Sequence, residues 1–423
     1  MHHFTYRQGQ MVCEDVPLGA IAQAVGTPAY VYSSATLERH YDVFKAALAP
    51  RTPLIAFAVK ANSNLAVLAT LARRGAGADT VSAGEIARAL KAGVPPDRII
   101  FSGVGKSEDE LAFACSVGVA QINIESIAEL AMLEEVAKRA RANPAISIRV
   151  NPGIGAGGNS KISTGGGDAK FGVSAEDAIA LYHQAAQSRN LRPQGLAVHI
   201  GSQIKDLSPL EETFRLMRTL AERLRAEGRT IDHLDLGGGL GIPYFHEPEP
   251  PTPAAYGAMV NRVFEGMDIA LAFEPGRLIA GNAGILLSRV IRIQERPDRQ
   301  FLVLDAAMND LIRPAMYDAF HDIQPVAEPP AGAARMPIDV VGPICETGDT
   351  FARARPLPPL KAGDLVALMT AGAYGAVMSS AYNSRPITPE VLVSGDRFAV
   401  VRDRFEVETQ LKLEHMPPWL SPE

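Results

Sequence analysis

The sequence predicts an α/β protein, a (β/α)8 barrel joined to a mostly antiparallel β-domain. Three observations predict it. Between Leu54 and Phe273, eight short apolar runs alternate with stretches of helical period, which implies parallel strands and crossover helices. After about Asn282 the apolar runs alternate with turns instead, the habit of antiparallel strands. The chain has 423 residues, too many for one small core. A barrel of about 250 residues plus a smaller domain suits that length. Eight units favour closure over a doubly wound open sheet, which would bind its ligand at a switch point. The expected boundaries are 36–282 for the barrel, with 1–35 and 283–423 in the β-domain.

In order, Phe4–Tyr6 and Ala29–Tyr32 read as strands flanking a helix at Leu18–Val25, which Gly26 ends. A barrel starting near Thr36 leaves these strands unpaired, so they are assigned to the β-domain. Thr36–Leu48 is helical, with apolar Leu37, Tyr41, Phe44 and Leu48. The barrel strands are expected at Leu54–Val59, Gly77–Thr80, Arg98–Ser102, Gln121–Ile124, Ile146–Val150, Gly195–Ile200, His233–Leu236 and Ile269–Phe273. The helices between them are expected at Leu65–Arg74, Ala83–Ala92, Glu108–Val117, Ile127–Arg141, Ala175–Arg189, Leu210–Glu227 and Tyr256–Phe264. Asn151–Gly172 is glycine-rich and polar and reads as a long mobile loop, a lid. The β-domain strands are Ile285–Ile293, Phe301–Leu304, Ile338–Val341, Leu365–Met369, Val391–Val393 and Phe398–Val401, with Pro325–Pro337 and Pro356–Pro359 as surface loops.

Composition excludes several classes. Net charge is −6, and no basic run with interleaved aromatics occurs, which argues against nucleic acid as a partner. Cys13, Cys115 and Cys345 are widely spaced, with no CxxC pair. Neither a structural metal nor a disulfide framework is expected, and a cytoplasmic home is. The N-terminus lacks the apolar stretch of a signal peptide, and no window of about 18 uncharged apolar residues could span a membrane.

The active sites of such barrels lie at the C-terminal strand ends. Those ends carry Lys60, Asp79, Ser102-Gly103, Glu125, Asn151, His199-Ile200-Gly201-Ser202, Gly237-Gly238-Gly239 and Glu274-Pro275-Gly276-Arg277. Lys60 ends an apolar run, where desolvation would favour the neutral, nucleophilic amine. Together these groups could hold a phosphorylated heteroaromatic aldehyde. The lysine would form an imine, a glutamate would pair with a ring N–H, a histidine would stack on a ring face, and glycine N–H groups would cradle the phosphate. Singly, each has a plainer alternative: Lys60 a lysine that caps its strand and snorkels to water, the reading its stretch alone favours, His199 a core histidine, Asp79 a helix cap, Cys345 a buried apolar group, Arg313 a surface ion pair. Gly153-x-Gly155-x-x-Gly158 follows a strand but leads into no helix, so a dinucleotide site is rejected there.

Ten motifs then stand in order: FAVKAN, GADTVSAGE, KISTGGGDAKFG, HIGSQI, LDLGGGLG, EPGR, RPAMYDAFH, CETGD, AGAYG and YNSRP. In these the chain resembles the diaminopimelate decarboxylases, group IV decarboxylases within the alanine-racemase-like fold group of pyridoxal-phosphate enzymes. The resemblance covers nearly the whole chain, and RPAMYDAFH with CETGD points to the diaminopimelate branch. It implies pyridoxal 5'-phosphate as cofactor, with Lys60 as the Schiff-base lysine, His199 on the ring and Glu274 at the pyridine nitrogen. Asp79, Ser202, Gly238, Gly239, Pro275, Gly276, Arg277 and Tyr374 would complete the cofactor site. Arg277, Arg313, Tyr317 and Tyr374 would bind substrate, and Glu346 its distal ammonium. Cys345 would be the acid at the carbanion, lent by the partner subunit of a homodimer. The implied reaction takes meso-2,6-diaminopimelate to L-lysine and CO2. Relatives acting on ornithine, arginine or carboxynorspermidine, a racemase of the same fold group and small cofactor-binding barrels are the alternatives. Gly158-Asn159-Ser160, Thr370 and Thr347 depart from residues usual in the family.

Overall fold

Most turns of the barrel are written in a short buried run followed by a polar cap. The run Leu54–Ala58 is buried past its first residue, and two asparagines close it: Asn62 Oδ1 accepts from the Asn64 N–H (3.1 Å), and Asn64 Oδ1 caps the next helix through Ala66 N (2.9 Å). Serines do the same further on. Ser82, Ser107 and Ser126 each accept from the third backbone N–H of the following helix, and Glu110 completes a capping box with Ser107.

The computed structural model describes residues 2–155, 157, 164–166, 169–244 and 249–420. Leu37–Gly281 form one compact unit, and Met1–Thr36 with Asn282–Glu423 form another. Four strands come first: β1 (Phe4–Arg7), β2 (Gln10–Cys13), β3 (Val16–Pro17) and β4 (Ala29–Ser33). The barrel strands are β5 (Leu54–Ala58), β6 (Gly77–Thr80), β7 (Ile99–Phe101), β8 (Gln121–Ile124), β9 (Ala145–Arg149), β10 (Arg192–Ala197), β11 (His233–Asp235) and β12 (Ala270–Phe273). They are parallel neighbours in chain order, and β12 pairs with β5 to close the barrel. Part of its interior is apolar, built from Ala56, Ile100 and Ala272 with Leu54 against them. The strand from Arg192 lies about three residues earlier than expected. Arg192 N already bonds to Pro144 O, and His199 and Ile200 pass beyond the end of the strand.

The glycine-rich loop Asn151–Gly172, expected as a mobile lid, lies partly outside the described residues, as do 161–163 and 167–168 of its motif. Its described part is tied to the turn after β10: Thr164 Oγ1 donates to His199 O (2.8 Å), and Asn151 Nδ2 to Gly166 O (3.1 Å).

The second unit contains β13 (Gly284–Arg296), β14 (Arg299–Leu304), β15 (Ile323–Pro325), β16 (Met336–Val341), β17 (Thr350–Leu357), β18 (Leu365–Leu368), β19 (Glu390–Ser394) and β20 (Arg397–Arg402). Together with β4, these make a sheet with the path β17-β16-β14-β13-β4-β19-β20, while β18 pairs with β13 and β15. Most pairs are antiparallel, but β14 with β16 and β4 with β19 are parallel. Strands β1–β3 form a small sheet of their own, whose Phe4, Met11, Cys13 and Val16 share a core with Val31, Ile285, Leu287, Val391 and Val393. Pro356, expected in a loop, belongs to β17 and stands opposite Pro337. That strand is an edge of the sheet, where a missing N–H costs no ladder bond. Among the described residues, no helix is long and apolar enough to cross a membrane.

Candidate active site

Every barrel strand delivers a polar group at or just past its C-terminal end. After β5 a single 3-10 turn, Val59–Ala61, presents Lys60. Its Nζ donates to Asp79 Oδ2 at 2.7 Å. Asp79 is fully buried at the end of β6, and its other oxygen, Oδ1, has no hydrogen-bond partner among the described residues. Lys60 is therefore in an ion pair, with its side chain 37% exposed, and is not the lone desolvated amine expected from the apolar run before it. Asp79 is no helix cap either, since Ser82 fills that place.

Opposite in character is Glu274, just past β12. It is buried, and its carboxyl stands close to that of Asp235 at the end of β11. Burial first, then the charges of Asp235 and Asp79, push Glu274 well above the usual carboxylate range, against the pull of Lys60. The two carboxyls are not equivalent. Asp235 accepts three N–H donors: Gln121 Nε2 and Asn123 Nδ2, both at 3.2 Å, and the Gly237 N–H at 3.1 Å. Glu274 has a long contact with Ser102 Oγ, at 3.5 Å. N–H donors favour the ionised form, so the proton of the pair belongs on Glu274.

His199 is half-buried, with Nδ1 accepting the Gly238 N–H at 3.2 Å. Burial, then the Lys60 and Arg149 cations, push it well below the usual histidine range, so the ring is neutral with its proton on Nε2. The glycine turn after β11 packs with no room to spare. A Cβ on Gly237 would stand 2.4 Å from Val198 O, and one on Gly238 2.3 Å from Glu274 O. Gly237 and Gly239 have φ of 63° and 115°, which side-chain-bearing residues avoid. Arg277 is buried in the turn Glu274–Arg277 and donates to Ser202 Oγ (3.2 Å) and the Tyr244 hydroxyl (2.9 Å). At the end of β9, Arg149 Nη1 donates to Glu125 Oε1 (2.9 Å), with its guanidinium 4.9 Å from the Phe171 ring.

In the second unit, Arg313 opens the short helix Arg313–Tyr317 and is buried, with Tyr317 one turn on and half-buried. It is not at the surface, where the plainer reading put it; its Nη1 meets His321 Nε2 at 3.0 Å. Cys345 is exposed, not buried, and its N–H donates to Asn383 Oδ1 (3.3 Å). Glu346 accepts from the Tyr382 hydroxyl at 3.0 Å. Tyr374 takes a φ of 56° and is half-buried.

The sequence profile of the family described as pyridoxal-dependent decarboxylase, pyridoxal binding domain, matches residues 34–281. A diaminopimelate decarboxylase of Zymomonas mobilis is 48% identical over 421 residues, 99% of either chain. The chain belongs to the diaminopimelate decarboxylase family. Among solved structures, the Helicobacter pylori enzyme complexed with L-lysine superposes with a TM-score of 0.90 at 39% identity, covering 94% of this chain and 98% of that one. The M. jannaschii enzyme in complex with L-lysine gives 0.93 at 32%, covering both chains fully.

The cofactor of the family is pyridoxal 5'-phosphate, and the barrel suits it. That group brings an aldehyde, a ring N–H and a phosphate. The barrel offers an amine at Lys60, a buried carboxyl at Glu274 held above its usual range by burial and by the Asp235 and Asp79 charges, and a glycine turn with no room for a Cβ. Reading strand ends alone misses Asp235, Gln121, Asn123, Arg149 and Tyr244. Gln121 and Asn123 carry a readable signal, polar residues at i and i+2 in an otherwise apolar run, hence on one inward face. Glu85 is also missed; burial pushes it up to about 7, although the Val81 N–H at 2.8 Å pulls the other way.

Proposed function

We propose that this chain is a pyridoxal-phosphate-dependent carboxy-lyase converting meso-2,6-diaminopimelate to L-lysine and CO2, the last step of lysine biosynthesis. Full-length similarity to enzymes of that name carries the reading. The buried Arg313 supports the choice of substrate, because a second carboxylate calls for a planar guanidinium. Ornithine, arginine and carboxynorspermidine, the rival substrates, lack a distal amino-acid head.

In this reading Lys60 Nζ holds the cofactor, and the buried Asp79 orients that amine through its 2.7 Å contact. Glu274 holds a proton at the ring nitrogen, and Asp235 behind it keeps the carboxyl aimed. His199 lies on the ring face, its plane fixed by the Gly238 N–H. Gly238, Gly239, Ser202 and the turn Glu274-Pro275-Gly276-Arg277 bind the phosphate, with a hydroxyl from Tyr374. Bound pyridoxal phosphate supplies the sink for the electron pair left when CO2 departs. Cys345 Sγ then delivers a proton to that carbon. Arg277, Arg313 and Tyr317 take the distal carboxylate and Glu346 the distal ammonium. Cys345 and Glu346 come from the partner subunit of a homodimer, and the enzyme works in the cytoplasm.

The test is a decarboxylation screen across diaminopimelate isomers, ornithine, arginine and carboxynorspermidine, reading CO2 and the amine product. The meso isomer should be turned over far faster than the rest. Comparable or faster release from any of the single-headed amino acids would overturn the assignment.

A further inference from the structure

Arg313 is held from behind by a residue that no motif role covers. The chain leaves the short helix at Asp318, whose φ of 52° turns it back, and brings His321 against the guanidinium. His321 is 1% exposed. Its Nε2 lies 3.0 Å from Arg313 Nη1, and its Nδ1 lies 2.8 Å from the Met369 carbonyl oxygen. A carbonyl oxygen can only accept and a guanidinium can only donate. The imidazole must therefore carry its proton on Nδ1 and offer a lone pair at Nε2: one tautomer, neutral. The backbone here is pinned as well. Arg355 of β17 donates to His321 O at 2.9 Å, and its guanidinium stands over the Phe320 ring at 4.0 Å. Asp322, the next residue, lies 3.8 Å from the same Arg355. The 320–322 turn is thus tied to β17 through Arg355 and to the residue after β18 through Met369.

A neutral acceptor does something a carboxylate could not. It takes up one N–H of Arg313 and fixes the plane of the guanidinium, yet leaves its charge undiminished for another anion. We infer that His321 is the positioning residue that aims Arg313 at the distal carboxylate of the substrate, acting as a single-tautomer strut between Arg313 and the Met369 carbonyl. This rests on the reading that Arg313 takes that carboxylate.

The test uses the holoenzyme and two amines, L-lysine, which keeps the distal amino-acid head, and 1,5-diaminopentane, which lacks it. Their binding is read from the cofactor absorbance, alongside kcat and KM for diaminopimelate. Two variants separate the strut from general packing. In His321→Asn the amide can still donate to Met369 O but falls short of Arg313. In His321→Gln the side chain reaches it. His321→Asn should cut the preference for L-lysine over diaminopentane by about tenfold, the scale of one lost charge-assisted contact. KM should rise in step while kcat stays within about threefold, and His321→Gln should recover most of the loss. Arg313→Ala should abolish the preference. If Arg313→Ala abolishes it and His321→Asn does not, the strut is refuted and the role of Arg313 stands. If Arg313→Ala leaves it intact, the reading beneath fails instead. Should His321→Asn not fold, 15N spectra of histidine-labelled wild-type protein decide. A proton on Nδ1 alone supports the strut, and protons on both nitrogens or on Nε2 alone overturn it.

Discussion

Replacing Glu274 by glutamine should make the cofactor-free protein more stable while removing most of its activity, and both effects have one cause. Glutamine keeps the shape of the side chain, can still accept from Ser102 and can donate to Asp235, but it never ionises. In the wild type the folded carboxyl titrates well above its ordinary range, through burial and the Asp235 and Asp79 charges. Its unfolded value is the ordinary one, near 4.3. Below that value both states hold the proton and the group is neutral to stability. As pH rises past it, the unfolded chain ionises while the folded one does not, so stability falls by up to about 1.4 kcal/mol per unit until the folded value is reached. The gain from Glu274→Gln should therefore widen between pH 5 and pH 8, by roughly 1–4 kcal/mol once shared protonation with Asp235 is allowed for. For a unit of this size that is several degrees of melting temperature. The assay is thermal unfolding of protein stripped of cofactor, across that pH range. With cofactor bound, the wild type regains a cationic partner for Glu274 and the gap should narrow. Activity should drop by about 10²–10³-fold, the cost of losing one preorganised electrostatic contact. A variant destabilised equally at both pH values would refute the reasoning, because the buried carboxyl would then be an asset to the fold.

Borohydride treatment of the holoenzyme should fix the cofactor's mass on the peptide containing Lys60; labelling of another lysine removes Lys60 from its role. Gly238→Ala forces a Cβ to within 2.3 Å of the Glu274 carbonyl oxygen. It should cost roughly 1–3 kcal/mol of stability and weaken pyridoxal phosphate in an absorbance titration, whereas unchanged cofactor affinity would clear this turn of any part in the phosphate site. Lys60→Ala and Cys345→Ala should each be nearly inactive, and dimers reassembled from a mixture should regain activity, because a two-fold pair then holds one site with both wild-type residues. Mixed dimers verified by two affinity tags yet still inactive would confine Cys345 to its own chain.

The legible parts of the chain were those whose burial is local. The runs Gly77–Thr80 and Gln121–Ile124, and the helices Leu18–Val25 and Glu108–Val117, begin and end where apolar runs, caps and glycines say they should. Strands β2, β3, β15 and β17 were not legible. Three are only two to four residues long, and β17 is an edge carrying Arg353, Arg355 and Pro356, charged and proline residues that look like loop until a partner strand is known. In the barrel, the strand-end rule reached Lys60, Asp79 and Glu274, which follow their runs directly. It could not reach Asp235, whose weight comes from Gln121 and Asn123 more than a hundred residues away. Nor could it reach His321, whose tautomer is set by Met369, 48 residues on. Such groups are defined by what faces them across the fold, which the order of residues does not state.

The sheet of the second unit draws on both ends of the chain. Strand β4, all five residues of it buried, lies between β13 and β19. During synthesis this strand leaves the ribosome early, while β19 comes roughly 360 residues later, or about 20–70 s at ordinary elongation rates. All eight barrel strands are complete by Phe273, well before then. Until β13 emerges Ala29–Ser33 is an apolar segment with both hydrogen-bonding edges open, and from then until β19 the edge that β19 takes stays open, a ready seat for a chaperone or for another nascent chain. Any truncation before Glu390 would leave the edge that β19 takes open for good, and one before Gly284 would leave both open, so fragments built around the barrel should be designed to begin after β4.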